Sequence, residues 1–164
     1  MYKFAMTLLI TLGMSLMANN LSANPDLPLQ FPLKEILISI VHQTGHGIPG
    51  GYEIIISGDG SSFYSRTGAP QLAQSVDKKT ILELVNDFYQ IHFFELADTY
   101  SVKKLVVLKD DTTLATVATK ILDMGSKQVC IQLADYKKCV TIVDNQPVEA
   151  AQLVKKIEGL FVNL

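Results

Sequence analysis

Residues 52–66 read Tyr-Glu-Ile-Ile-Ile-Ser-Gly-Asp-Gly-Ser-Ser-Phe-Tyr-Ser-Arg. Two β-prone runs, 52–57 and 61–66, flank Gly58-Asp59-Gly60. An Asp-Gly pair supplies the positive φ angles that a type I′ turn demands between twisted strands, so the segment is predicted to be a β-hairpin. Upstream, Ile36, Ile38 and Ile40 alternate with Leu37, Ser39 and Val41, a period-two, β-branched run that predicts another strand. Residues 44–51, Thr-Gly-His-Gly-Ile-Pro-Gly-Gly, join the two as a flexible link.

Downstream, Ile81, Leu84, Val85, Phe88 and Ile91 fall at spacings of three and four, the stripe of an amphipathic helix. Asp77 stands where an N-cap accepts from the first free backbone N–H groups. Residues 92–96 carry the apolar signal past the helix end. The Val-, Thr- and Leu-rich runs 102–108 and 112–117, around Asp110-Asp111, predict an extra hairpin, with residues 121–125 extending its second strand or breaking from it. Residues 128–133 and 137–143 predict one more. Pro147 suits a first helical turn, and Val148, Ala151, Val154, Ile157, Leu160 and Phe161 give the last helix a buried face. The order lacks regular βαβ alternation. It predicts an α+β fold, an antiparallel β-sheet built of hairpins with two helices packed on it.

The chain has 164 residues and a formal charge of −2, which suits one domain. That balance lacks the basic footprint of a nucleic-acid binder or a polybasic membrane patch. With 48% apolar and 18% charged residues it is no disordered chain. Residues 1–23 read as a signal peptide. Lys3 is the sole charge before Asp26, residues 4–18 are almost uninterruptedly apolar, and Leu21-Ser22-Ala23 ends on a small residue suited to cleavage. The rival reading is an uncleaved anchor, because residues 4–22 are just long enough to span a bilayer. The polar pair Asn19-Asn20 favours cleavage, which leaves residues 24–34, with Pro25, Pro28 and Pro32, as an extended lead-in to a single domain over 35–164. The protein is thus expected to be exported, periplasmic or secreted, with no stable membrane insertion after cleavage and no nucleic-acid partner.

Export exposes Cys130 and Cys139 to oxidising surroundings. A two-residue loop at Ala134-Asp135 sets Cys130 directly opposite Cys139, in a non-hydrogen-bonded pair whose close Cα atoms suit a disulfide. The same register places Val129, Ile131, Leu133, Val140 and Ile142 together on the other, buried face. The pair reads as a staple worth about 2 kcal/mol rather than a redox centre, since no Cys-x-x-Cys spacing or helix N-terminus depresses a thiol pKa.

Catalytic signals are sparse. His42 and His46, with Asp59 as a third donor, could hold a metal, although His-x-x-x-His is diagnostic only on a helix. Asp110 and Asp111 read as turn residues. Residues 45–51 lack the Lys-Ser/Thr of a phosphate-binding loop, and Gly-x-Ser-x-Gly does not occur. Tyr64, Tyr89, Tyr100 and Tyr136 are too scattered to predict an aromatic platform.

Gly47, Tyr52, Gly58, Asp59 and Gly60, then Phe93, Phe94, Leu96 and Pro147, stand in an order that resembles the bacterial exported family described as domain of unknown function 6438. The resemblance covers about two thirds of the mature chain. It implies an exported α+β domain in which residues 101–120 are an insertion, and it implies no activity. The family's link usually holds an Arg and two Cys where this chain has His42, Gly45 and Pro49, so no role of that cysteine pair carries over. The expected function is a non-enzymatic binding or interaction module of the envelope or secreted fraction, with an unknown protein or small ligand as partner and no cofactor. His42, His46, Tyr52 and Asp59 are its candidate binding residues, and the link 45–51 and the insert 101–120 its candidate contact surfaces. The alternatives are a metal-dependent hydrolase using His42, His46 and Asp59, or an inhibitor of an envelope enzyme.

Overall fold

The alternating isoleucines form the strand β1 (Ile36–Gln43) in a computed structural model that describes residues 27–45, 48–120 and 124–161. There follow β2 (Gly51–Ser57), β3 (Ser61–Arg66), β4 (Leu72–Ser75), the helix α1 (Lys78–Gln90), β5 (Val102–Leu108), β6 (Leu114–Lys120), β7 (Ser126–Leu133), β8 (Tyr136–Val143) and the helix α2 (Val148–Gly159). Six strands make one antiparallel sheet in the order β4-β3-β2-β1-β7-β8, and β5 and β6 pair as a separate ribbon. The α+β architecture is as expected. The expected signal peptide and His46 lie outside the described residues, and no described helix is long and apolar enough to cross a membrane.

The 52–66 hairpin is present, with a different turn. Its loop holds one left-handed residue, Gly60 at φ +97°, and the Gly60 N–H donates to Ser57 O at 3.0 Å. This is a type I turn closed by a glycine bulge rather than type I′, because a three-residue loop matches the strand twist with one left-handed residue instead of two. Asp59 keeps φ negative and uses its carboxylate locally, accepting from the Ser61 N–H at 2.9 Å and the Ser61 hydroxyl at 2.7 Å.

The sheet face carrying Ile38, Ile40, Ile54, Ile56, Val129 and Ile131 shares one core with both helices. Asp77 caps α1, accepting from the Thr80 N–H at 2.9 Å, and Ile81, Leu84, Val85 and Phe88 turn inward. Phe93 continues the core and meets Phe88 edge-on at 4.7 Å. In α2, Pro147 stands one position before the first turn, at φ −74° and ψ 149°. The expected Ala151, Val154, Ile157 and Phe161 are buried and are joined by Ala150 and Leu153, whereas Val148, expected inside, lies in the first turn and is 46% exposed.

Three further differences have local causes. β4 carries no apolar alternation and forms because the edge of β3 offers it backbone partners, Tyr64 opposite Leu72 among them. β6 begins at Leu114, not Thr112, since the Asp110 carboxylate accepts from the Thr112 N–H at 3.0 Å and the Lys109 N–H donates to Thr113 O at 2.8 Å. Those bonds hold residues 109–113 as the loop. Residues 121–123 lie outside the described residues. The β7–β8 register is as expected, with Cys130 opposite Cys139, their Cα atoms 4.1 Å apart and a disulfide between them. The outer edge of β8 is covered at Thr141, whose N–H donates to Asp98 O at 2.8 Å, while Lys138 reaches Asp98 Oδ1 at 2.7 Å. Such cover protects an edge strand from foreign pairing.

Candidate functional site

Cross-strand partners point to the same face of a sheet. At one end of the core-facing side they line up Lys127, His42, Tyr52 and Arg66, from β7, β1, β2 and β3 in turn. One level inward stand Val129, Ile40, Ile54 and Tyr64. The end of α2 closes over this corner. Glu158 accepts from the Tyr52 hydroxyl and lies 2.5 Å from Lys127 Nζ, while Phe161 stacks on Tyr64 with ring centroids 6.2 Å apart. Tyr64 in turn stacks on Tyr52 at 5.7 Å, and the His42 ring lies 4.9 Å from Tyr52.

Between these groups opens a cleft of about 540 Å³. Ile54, Tyr64, Pro70, Leu72 and Phe161 make its apolar wall, and Tyr52, Arg66, Lys127 and Glu158 its polar rim. The segment after β3 supplies Ala69 and Pro70, and β4 supplies Leu72, so the element that the sequence does not announce builds one side of the site.

Burial pushes the Tyr52 phenol well above its usual range, and the Glu158 carboxylate that accepts its proton pushes it further. Burial also holds His42 below the ordinary imidazole range, and the Lys127 ammonium acts in the same direction against the opposing pull of Glu158. Tyr52 therefore keeps its proton and His42 favours the neutral form. Lys127 lies 5.8 Å above the Tyr52 ring, a cation–π contact that adds to its ion pair with Glu158.

The structure brings together His42 and Tyr52 from the expected set, and it separates Asp59. His42 pairs with Tyr52 at the start of β2, whereas Asp59 follows Ser57 beyond its end. Roughly 17 Å of strand, at about 3.3 Å per residue, divides the two levels, so His42 and Asp59 do not share an ion. Asp59 is exposed, and its bonds from Ser61 lower its pKa. Among the described residues no group of three His, Cys, Asp or Glu is arranged to hold a metal.

The sequence reading does not single out Arg66, Lys127 or Glu158, places Phe161 only on the buried face of the last helix, and takes Tyr64 as one of several scattered tyrosines. For Arg66 and Tyr64 the signal is present. Once 52–57 and 61–66 are paired, parity puts both on the face of Tyr52. Lys127 and Glu158 arrive through the β1–β7 pairing and the phase of α2, which no local pattern specifies. Comparison of the chain with protein-family models, curated proteins and solved structures finds no match.

Proposed function

We propose that the protein is a non-enzymatic binding module of the cell envelope or secreted fraction, with a small amphipathic ligand seated between β2, β3 and the end of α2. The observation that carries this reading is the aromatic-walled cleft itself. Its volume, about 540 Å³, falls within the roughly 300–1,000 Å³ of small-molecule sites, which pair an apolar lining with a few polar groups. The state of those polar groups favours binding over chemistry. Glu158 is held through Oε1 by both the Tyr52 hydroxyl and the Lys127 ammonium, which anchors it as a fixed part of the cleft wall. The Tyr52 phenol, held above its usual range, is no nucleophile near neutral pH. The Cys130–Cys139 bond suits an oxidising compartment, in keeping with the targeting character of residues 1–23.

The test is the native, non-reducing mass of the protein recovered from the extracytoplasmic fraction. The expected species begins near Asn24 and carries a discrete extra mass that denaturation releases. Leu72→Asn, at a partly exposed position of the wall, is expected to lose that mass while keeping its fold. An extra mass retained by the variant, or absent from both proteins, overturns the cleft as the binding site. A full-length chain confined to the cytoplasm overturns the location.

A further inference from the structure

The binding-module reading leaves the ligand's charge open, and the residues around the cleft decide it. We propose that the cleft takes an amphipathic anion, its oxyanion head on the Arg66 guanidinium and its apolar body along Tyr64, Leu72 and Phe161. This inference rests on the cleft being a binding site. Two cations and one carboxylate line it, Arg66, Lys127 and Glu158, a balance of +1 on a chain whose formal charge is −2. Lys127 matches the carboxylate's charge through Oε1, which also accepts from the Tyr52 hydroxyl, so the unmatched charge lining the cleft is that of Arg66.

Arg66 stands apart from that cluster. Among the described residues no ion pair or side-chain hydrogen bond engages it. Its pairing with Tyr52 fixes it at the end of the polar row, at the cleft rim where the apolar wall meets solvent. A guanidinium presents a planar fork of donors that matches a carboxylate, sulfonate or phosphate with two parallel bonds. A cationic ligand would meet an uncompensated like charge at this rim, and a neutral one would leave the fork unused.

Paired fluorescent probes test the assignment on the folded full-length domain. Anilinonaphthalene sulfonate and its uncharged parent phenylnaphthylamine share the same rings and differ in the anion. The sulfonate is expected to bind at least about ten-fold more tightly, the scale of one charge-assisted contact, and decanoate is expected to displace it. Arg66→Gln, on an exposed side chain, should erase the preference and leave phenylnaphthylamine binding unchanged. Glu158→Gln, which keeps an acceptor for Tyr52 and removes the negative charge, should raise sulfonate affinity several-fold. Both probes bound equally, or a preference indifferent to Arg66, with both lost in Leu72→Asn, overturns the anion while leaving the cleft as a binding site. Binding of neither probe, or binding unmoved by Leu72→Asn, overturns both.

Discussion

At Gly58 the chain tolerates no side chain, for a reason that lies outside its own hairpin. A Cβ there would stand 1.6 Å from Leu33 O and 3.2 Å from Ile36 Cβ, because the lead-in to β1 crosses directly over the turn and the Gly58 N–H donates to Ile36 O at 2.9 Å. Gly58→Ala is expected to cost about 2–3 kcal/mol in urea unfolding, the scale of forced overpacking with backbone displacement. Gly159, at the end of α2, has open space where its Cβ would be. Gly159→Ala is expected to have the opposite sign, stabilising by roughly 0.5–1 kcal/mol through the entropy of the unfolded chain. Equal effects at the two positions would show that the crossing over Gly58 is not fixed. His42 gives a second residue-scale expectation. Its pKa is lowered by burial and by Lys127 from β7, with Glu158 of α2 opposing, so the unfolded chain takes up the proton more readily than the folded one. The neutral imidazole's contribution is complete above the ordinary imidazole pKa, about 6.5, and is lost as pH falls through that value toward the lower folded one. Urea midpoints compared at about pH 7.5 and about pH 5.5 should fall further in the wild type than in His42→Gln. Identical losses would remove His42 from the linkage.

Elements whose pattern and turn chemistry agree were legible in the sequence. The β7–β8 hairpin is the clearest, since loop length, face alternation and the opposed cysteines all select one register. The α1 stripe and its Asp77 cap are local in the same sense. Legibility ended where a partner strand or tertiary packing decided the outcome. β4 has no alternation of its own and depends on β3. In α2 the packing of the helix on the sheet, which no local pattern specifies, adds Ala150 and Leu153 to the buried side and leaves Val148 exposed. The candidate site suffered most, because it is assembled across elements. Tyr52 and His42 were within reach of local reading, whereas Lys127 comes from pairing β1 with a distant β7 and Glu158 from a helix laid over the far corner.

For the molecule as a whole, the core and the β5–β6 ribbon are separate structural units. The buried core draws on the six-stranded sheet and both helices and includes no residue of β5 or β6. Val106, Leu108 and Leu114 in the ribbon are 65%, 67% and 66% exposed. A two-stranded hairpin with no third strand or helix behind it has little independent stability in water, so it adds little to cooperative unfolding. Val102 and Lys120, at its base, are cross-strand partners, which lets a two-residue Asn-Gly turn join them without moving either end. Replacing residues 103–119 by Asn-Gly is therefore expected to leave a single cooperative transition, with Tm changed by only a few degrees. In the intact protein, amide exchange should divide the same way, with β1, paired on both sides by β2 and β7, protected near the global limit and the ribbon exchanging orders of magnitude faster. Loss of cooperative unfolding in the shortened chain, or ribbon amides as slow as those of β1, would mean that the ribbon is tied into the core.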